Sequence, residues 1–222
     1  MADRAGWDRR LLMVRHGRSE ANAGLPSDDP RTVPLTVAGR RQAERVARHL
    51  GTAPGLVVAS PMLRAAQTAA ATVRRHPRVP YETWPVGEFS YLSGSPDLLR
   101  TPAGRRPLAA EYWRRADPDH CAGPGAESFR DLLARADAML DRAAALDRSP
   151  VVVFTHQLFT QAVLWRVLLP DHPVDGSAMA AFRAWGTSWP IRNTGVVQLA
   201  FHEQLGVRLE SVGEGGAGVE PP

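Results

Sequence analysis

The chain has 222 residues, which suits one domain or one domain with an insertion, and its 44% hydrophobic and 23% charged residues are typical of a globular protein. All 27 basic residues are arginine, and 23 acidic residues leave a formal net charge of only +4. A nucleic-acid binder usually concentrates its positive charge in one patch or tail, whereas these arginines are scattered along the chain among acids. We therefore expect no nucleic-acid partner.

The sequence also argues against a disulfide framework and a zinc cluster, because Cys121 is the only cysteine. The first residues contain no apolar stretch long enough for a signal peptide, and no apolar run reaches the length of a transmembrane helix. We expect a cytoplasmic protein with no membrane partner, no metal and no cofactor. The oligomeric state stays open.

Short apolar runs alternate with helical patterns along the chain, which predicts an α/β fold. Specifically, we expect a three-layer α/β/α sandwich with a mostly parallel central sheet. The predicted elements, in chain order, are a strand over 11–14, a helix over 36–50 capped by Thr36, a strand over 56–59, a helix from the N-cap Ser60 and Pro61 to about 73, a strand over 79–83, a helix over 127–146, a strand over 151–154 and a helix over 158–169.

The end of the chain allows two interpretations. Residues 196–201 and 207–209 form either a terminal hairpin or one parallel strand and one edge strand. We predict a single domain over 1–212, with residues 84–126 as an irregular lid or insertion that includes a short helix near 109–115. The Gly-, Pro- and Glu-rich segment 213–222 is expected to be a disordered tail.

Three predicted strands end in residues that can bind a phosphate. The first is followed by Arg15 and His16, the second by Ser60 with Arg64 four residues on, and the last by His156. In an open parallel sheet, ligands bind outside the carboxyl ends of the strands, so these side chains should converge. The helices after Ser60 and His156 should add free N–H groups at the same place. Such a site suits a compact dianion such as a phosphoryl group.

The same residues resemble a known family. The run Arg15-His16-Gly17-Arg18-Ser19-Glu20-Ala21-Asn22 resembles the RHG signature of the histidine phosphatase superfamily, in its phosphoglycerate-mutase-like branch. The resemblance continues, in the same order, through Pro34-Leu35-Thr36 with Gly39-Arg40, Ser60-Pro61-Met62-Leu63-Arg64-Ala65-Ala66-Gln67-Thr68-Ala69, Gly125-Ala126-Glu127-Ser128, Thr155-His156 and Asn193-Thr194-Gly195-Val196. A lone RHG tripeptide is a weak signal, but this ordered set covers about residues 10–200.

The resemblance implies a phosphoglycerate-mutase-like fold and a metal-independent phosphatase that acts on a small-molecule phosphomonoester. His16 would be the nucleophile that forms a phosphohistidine, and Arg15, Arg64 and His156 would hold the phosphoryl oxygens. Further substrate contacts are expected from four residues, Ser19, Asn22, Tyr91 and Gln157.

A carboxylic acid must protonate the leaving oxygen in this chemistry. Glu88 is the best match to the family's acid, because it follows the predicted third strand and its loop leaves the carboxyl end of that strand. Glu82, Glu111 and Glu127 compete with it on residue type alone. The segment that contains Glu127 is interpreted first as the start of a helix.

Two positions depart from the family pattern, and two other functions stay open. Arg18 stands where many members have Glu, and Gln157 stands where many have Gly; the pair His156-Gln157 also argues against the acid phosphatase branch, which has His-Asp. The alternatives are a phosphoglycerate-type mutase and a non-catalytic phosphate-binding relative. In a mutase, a basic substrate clamp would come from the arginines of the insertion, Arg105, Arg106, Arg114 and Arg115.

Overall fold

A computed structural model describes residues 6–93 and 99–214. Within these ranges the chain forms a six-stranded sheet, six α-helices and a one-turn 3-10 helix at Ala21–Ala23. The strands are β1 (Arg9–Arg15), β2 (Leu56–Ala59), β3 (Tyr81–Thr83), β4 (Val151–Thr155), β5 (Gly195–His202) and β6 (Gly206–Glu214). The helices are α1 (Val37–His49), α2 (Leu63–Arg75), α3 (Pro102–Arg115), α4 (Phe129–Ala144), α5 (Gln157–Leu168) and α6 (Gly176–Ser188).

The sheet has the strand order β3-β2-β4-β1-β5-β6. The four strands from β3 to β1 are parallel, β5 runs antiparallel to β1, and β6 runs antiparallel to β5. The predicted α/β fold with a mostly parallel sheet is therefore confirmed. Of the two interpretations of the chain's end, the terminal hairpin is the correct one.

Helices cover both faces of this sheet. Alternate residues of β1 point to opposite sides, Met13 into one core and Val14 into the other. Helices α1 and α2 close the side of Val14, while α4 and α5 close the side of Met13. Because both faces are buried, the central strands are continuously apolar, as the sequence showed. The three-layer arrangement is confirmed. None of the helices within the described ranges is long and apolar enough to cross a lipid bilayer.

Two helix starts agree with the sequence and one does not. The Thr36 hydroxyl accepts a hydrogen bond from the Gly39 N–H at 3.0 Å and caps α1 as predicted. Ser128 lies in the segment predicted to start a helix, and it forms a capping box with Asp131 at the start of α4. The prediction that Ser60 caps α2 is wrong, because α2 begins at Leu63. The Ser60 side chain is instead part of the site described below.

The segment 84–126 is more regular than predicted. Helix α3 occupies 14 of its residues and is capped by Thr101, whose hydroxyl accepts from the Gly104 N–H at 3.1 Å. The predicted helix near 109–115 is the C-terminal half of α3. At the other end of the chain, β6 includes Gly213, which pairs with Val196, so the strand extends into the predicted tail. Residues 215–222 lie outside the described residues.

Helix α1 packs directly on the loop that follows β1, with no side chain between them. A Cβ atom on Gly39 would lie 2.1 Å from the Arg18 carbonyl oxygen, and one on Gly17 would lie 2.6 Å from the Gly39 carbonyl oxygen. Real Cβ atoms essentially never lie this close to a carbonyl oxygen, so a side chain at either position would require the backbone to move. The glycines of the two signature segments therefore allow the first turn of α1 to hold the loop after β1.

We expect Gly39→Ala to lower the free energy of unfolding by about 1–3 kcal/mol, the usual cost of overpacking. In an open helix the same change would raise stability by up to about 1 kcal/mol, so the sign of the effect tests the contact. Urea unfolding measures it. Val37→Ala, at an exposed position of the same helix turn, is the control and should change stability by less than about 0.5 kcal/mol. A Gly39→Ala chain as stable as the native one would contradict the packing argument.

Candidate active site

The predicted site residues come together around a cavity of about 460 Å³ at the carboxyl edge of the sheet. His16 and His156 directly follow strands β1 and β4, and Arg64 is the second residue of α2, which follows β2. Seven of the nine predicted residues line the cavity: Arg15, His16, Ser19, Asn22, Arg64, Glu88 and Tyr91. The other two, His156 and Gln157, are not among the lining residues.

His16 is buried and its hydrogen bonds define one tautomer. Its Nδ1 lies 2.7 Å from the Gly17 carbonyl oxygen, which can only accept, so Nδ1 carries the proton. Its Nε2 lies 3.1 Å from Arg64 Nε and accepts that N–H. Burial, followed by the positive charge of Arg64, lowers the pKa of His16 to about 3. The imidazole is therefore neutral, with its lone pair on Nε2.

His156 is completely buried, and its ring centroid lies 5.1 Å from that of His16. Its Nε2 lies 2.8 Å from the Ser60 hydroxyl, which also accepts the Met62 N–H at 3.2 Å. Burial lowers the pKa of His156 well below its usual value, so the ring stays neutral. Within the described part of the chain, the buried Nδ1 has no partner.

The two arginines are held by neutral acceptors. Arg64 donates to the Pro30 carbonyl at 2.6 Å and to the Met62 sulfur at 3.1 Å. Arg15 donates to Gln157 Oε1 at 2.8 Å and to the Ile191 carbonyl, while its buried Nε has no partner among the described residues. Burial lowers the pKa of both guanidinium groups, and the nearby negative charge of Glu88 opposes that shift. Their positive charge thus remains available to an anion in the cavity.

Glu88 reaches the cavity from the loop after β3. Its Oε1 accepts the backbone N–H groups of Leu158 at 3.0 Å and Phe159 at 3.3 Å, in the first turn of α5, and that of Phe89 at 3.1 Å. The carboxylate is therefore anchored by one oxygen at the positive end of a helix. The competing acids are bound elsewhere: Glu82 to Arg142, Glu111 to Arg114 and Glu127 to Arg135.

Several of the helix N–H groups that the sequence suggests for the phosphate have partners within the chain. The N–H groups at the start of α5 are used by Glu88, and the Leu63 N–H at the start of α2 donates to the Arg31 carbonyl at 2.8 Å. Buried backbone donors need partners, and here the chain supplies its own.

Of the remaining predicted residues, three line the cavity and one, Gln157, contacts a side chain that lines it. The Ser19 hydroxyl accepts from the Asn22 N–H at 3.2 Å, and Asn22 Oδ1 faces the Ser19 N–H at 3.3 Å, so these two lining residues fix each other. Tyr91 lines the cavity and packs on Tyr112, with ring centroids 4.6 Å apart. Gln157 does not line the cavity but orients Arg15.

Only one of the arginines that the sequence analysis names outside the predicted site lines the cavity. Arg18 is exposed and does not line the cavity, whereas Arg105 does line it. Arg106, Arg114 and Arg115 are exposed on α3 away from the described lining.

Sequence reasoning missed three groups that hold the site. The Pro30 carbonyl fixes Arg64, the Ser60 hydroxyl fixes His156, and Asn193 Nδ2 donates to both the His16 carbonyl and Asn22 Oδ1 at 3.0 Å. Asn193 stands just before β5, and its role depends on β5 pairing beside β1. The position of Ser60 at a strand end is visible in the sequence, but the sequence context of this residue predicts a helix cap.

A second, larger cleft of about 950 Å³ lies at the other end of β1, between Arg9 and the β5–β6 turn. It contains none of the predicted site residues.

Fold and site together define a class of protein: an α/β protein with two neutral histidines and two arginines grouped at the carboxyl edge of its sheet. The family model described as the histidine phosphatase superfamily (branch 1) matches residues 11–204. The chain belongs to this family.

Individual relatives agree with this assignment. A glucosyl-3-phosphoglycerate phosphatase from Mycolicibacterium vanbaalenii is 31% identical over 214 residues, which cover 87% of this chain and 85% of the relative. A mycobacterial glucosyl-3-phosphoglycerate phosphatase, solved in complex with VO3, has a TM-score of 0.69 at 26% identity and covers 93% of this chain and 99% of that one. The alpha-ribazole phosphatase from Shigella flexneri shares the fold, with a TM-score of 0.72 at 21% identity over 96% of this chain and 100% of that one.

The low pKa values of the two histidines predict a pH-dependent stability. An unfolded histidine binds a proton below about pH 6.5, but His16 resists protonation down to about pH 3 when folded, and His156 is shifted in the same direction. The free energy of unfolding should therefore fall as the pH decreases from 6.5, by up to about 1.4 kcal/mol per pH unit for each histidine. Urea unfolding between about pH 6.5 and 5, above most carboxyl titrations, measures this slope.

The variant His16→Gln should remove about half of that slope, whatever its own stability. The exposed His49 provides the control, since His49→Gln should keep the native slope. An unchanged slope in His16→Gln would mean that His16 is not held neutral by the fold.

Proposed function

We propose that the chain hydrolyses small-molecule phosphomonoesters through a phosphohistidine on His16, without a metal ion. The observation that carries this proposal is the arrangement of His16 and Arg64. A buried, neutral imidazole at the cavity accepts a hydrogen bond on Nε2 from Arg64, a guanidinium that has no carboxylate partner among the described residues. Membership of the histidine phosphatase family and relatives named as phosphatases support the same activity.

The first chemical step would form the phosphohistidine. As the phosphate enters, the Arg64 N–H leaves His16 Nε2 and donates to a phosphoryl oxygen. Nε2 attacks phosphorus and the bond between phosphorus and the leaving oxygen breaks. Glu88, which takes up a proton when the ester enters beside it, gives that proton to the leaving oxygen. Nδ1 keeps its proton, and the Gly17 carbonyl stabilises the charge that the imidazole gains.

The second step would release the phosphate. Glu88, now a carboxylate, takes a proton from water while the water oxygen attacks phosphorus, and the bond between phosphorus and Nε2 breaks. Inorganic phosphate leaves, and His16 returns to its neutral form. In both steps Arg15, Arg64 and His156 would stabilise the negative oxygens of the transferring group.

The nucleophile is tested by His16→Ala, with the exposed His49→Ala as the matched control. We expect His16→Ala to lower kcat on an aryl phosphate, measured with a chelator present, by at least about 10³-fold, while His49→Ala keeps native turnover. Labelled substrate quenched during turnover should leave a phosphoryl group on the native chain that survives base and is lost in acid.

Three outcomes would contradict this proposal. Turnover by His16→Ala close to the native rate would place the nucleophile elsewhere. Interconversion of phosphoglycerates that requires a bisphosphate primer would identify a mutase. Phosphate binding without turnover on a broad ester panel, which should include a glycosylated phosphoglycerate because of the 31% identical relative, would identify a non-catalytic binder.

The general acid is tested by Glu88→Gln against a series of leaving groups. A poor alkoxide leaving group needs the proton, whereas p-nitrophenolate leaves without it. We therefore expect Glu88→Gln to lose at least about 10²-fold in kcat on an alkyl phosphate and much less on p-nitrophenyl phosphate. Glu111→Gln, on the exposed side of α3, should behave as the native chain. Equal losses on both substrates would mean that Glu88 is not the acid.

A further inference from the structure

Arg135 on α4 contacts the loop that carries Glu88 without lining the cavity. Its Nη1 donates to the Pro85 carbonyl at 2.6 Å and to the Gly87 carbonyl at 3.2 Å. These carbonyls belong to the residues three and one positions before Glu88. A single guanidinium thus fixes the backbone that leads into the proposed acid.

Glu127 holds this guanidinium and the other side of the loop. Its two carboxylate oxygens accept from Arg135 Nε and Nη2, the latter at 2.8 Å, in a bidentate pair whose side chains are only 24% and 14% exposed. The Glu127 N–H donates to the Ser90 carbonyl at 2.9 Å. The pair therefore binds the chain before and after Glu88.

The same guanidinium also contacts the anchor of the Glu88 carboxylate. The Arg135 guanidinium lies 4.9 Å from the ring centroid of Phe159, and the Phe159 N–H is one of the donors to Glu88 Oε1. Only arginine offers a planar fork that can bind a carboxylate with one edge and two carbonyls with another nitrogen. The loop of Glu88 and the first turn of α5 are thereby fixed relative to each other.

We propose that Arg135, held by Glu127, is a positioning residue for the general acid Glu88. This inference rests on the proposed function, in which Glu88 protonates the leaving oxygen. Proton transfer requires the donor within about 2.6–3.2 Å of that oxygen, and a displacement of about 1 Å costs on the order of 10²-fold in rate. Arg135 supplies this placement from outside the cavity.

The same helix provides a matched control for a purely structural role. Arg142, seven residues further along α4, pairs with Glu82 at 2.9 Å and lies 4.2 Å from the ring centroid of Trp84. It thus binds the chain just before the Glu88 loop through an ion pair and an aromatic ring, but it donates to neither Pro85 nor Gly87. Replacing Arg142 removes an ion pair and a ring contact of the same kinds that Arg135 makes, but it leaves the hydrogen bonds from Arg135 to Pro85 and Gly87 in place.

The first measurement follows the loop itself and does not depend on activity. We expect Arg135→Ala to accelerate amide hydrogen exchange in the peptide over residues 85–92 by about tenfold, and Arg142→Ala to leave this peptide at the native rate. Native exchange in Arg135→Ala would overturn the proposal. Native-like circular dichroism and exchange in the central strands establish that both variants are folded.

The second measurement compares leaving groups. We expect Arg135→Ala to reduce kcat on an alkyl phosphate by about 10²-fold and on p-nitrophenyl phosphate by less than about threefold, because the phosphate half of the site is untouched. Arg135→Lys, which keeps the charge but not the fork, should recover only part of the loss, and Glu127→Gln should show a weaker form of the same pattern. If Arg135→Ala does not fold, Arg135→Lys and Glu127→Gln provide the same comparison of leaving groups.

The outcomes separate this proposal from the one on which it rests. Equal losses on both substrates, or the same selective loss in Arg142→Ala, would overturn the positioning role. Suppose that Glu88→Gln loses more kcat on the alkyl phosphate than on p-nitrophenyl phosphate, and that the Arg135 variants do not. Glu88 is then the acid, but its positioning by Arg135 is wrong. If Glu88→Gln is not selective, the assignment of the acid fails and this inference fails with it.

Discussion

The hydrogen bond from Arg64 Nε to His16 Nε2 is the interaction on which the site depends. It joins the end of β1 to the first turn of α2, and it requires a neutral imidazole that accepts on Nε2 and donates from Nδ1 to Gly17. The surrounding structure enforces this geometry. The Thr68 hydroxyl accepts the Gly17 N–H at 3.1 Å and donates to the Arg64 carbonyl at 2.7 Å, so loop and helix are also joined through their backbones. In the proposed reaction, this guanidinium would pass from His16 Nε2 to the entering phosphate.

Burial of this site has an electrostatic consequence. Among the described residues, the two guanidinium groups have no carboxylate partner, and with two histidines that stay neutral they form a region of buried positive charge. Unpaired buried charge destabilises a fold, whereas the same charge would favour the binding of a dianion. The formal net charge of +4 conceals this local field, since most arginines lie on the surface. At Arg15 and Arg64, lysine would lose the planar fork that fits phosphoryl oxygens.

Sequence reasoning succeeded where one strand or one helix determines the answer. Continuous apolar runs showed the buried strands, and polar residues at the strand ends located His16 and His156. It failed where the answer depends on which distant segments meet. Ser60 has the sequence context of a helix cap, but the sheet order places β2 beside β4 and so brings its hydroxyl to His156. Likewise, the N–H groups at the start of α5 looked free for phosphate, yet a loop 70 residues earlier supplies the Glu88 carboxylate that takes them.

The two halves of the proposed reaction are therefore supported by different parts of the fold. The phosphate half rests on strand ends of the central sheet, whose register is determined by buried apolar residues on both faces. The acid half rests on a loop between β3 and α3 that contributes no sheet hydrogen bond at Glu88 and is fixed from the helical layer, through α4 and α5. A change in the helical layer can therefore alter how well a leaving group is protonated while phosphate binding stays intact. This separation explains why signature segments contain residues such as Glu127 and Gly39 that never face the cavity: they place the groups that do.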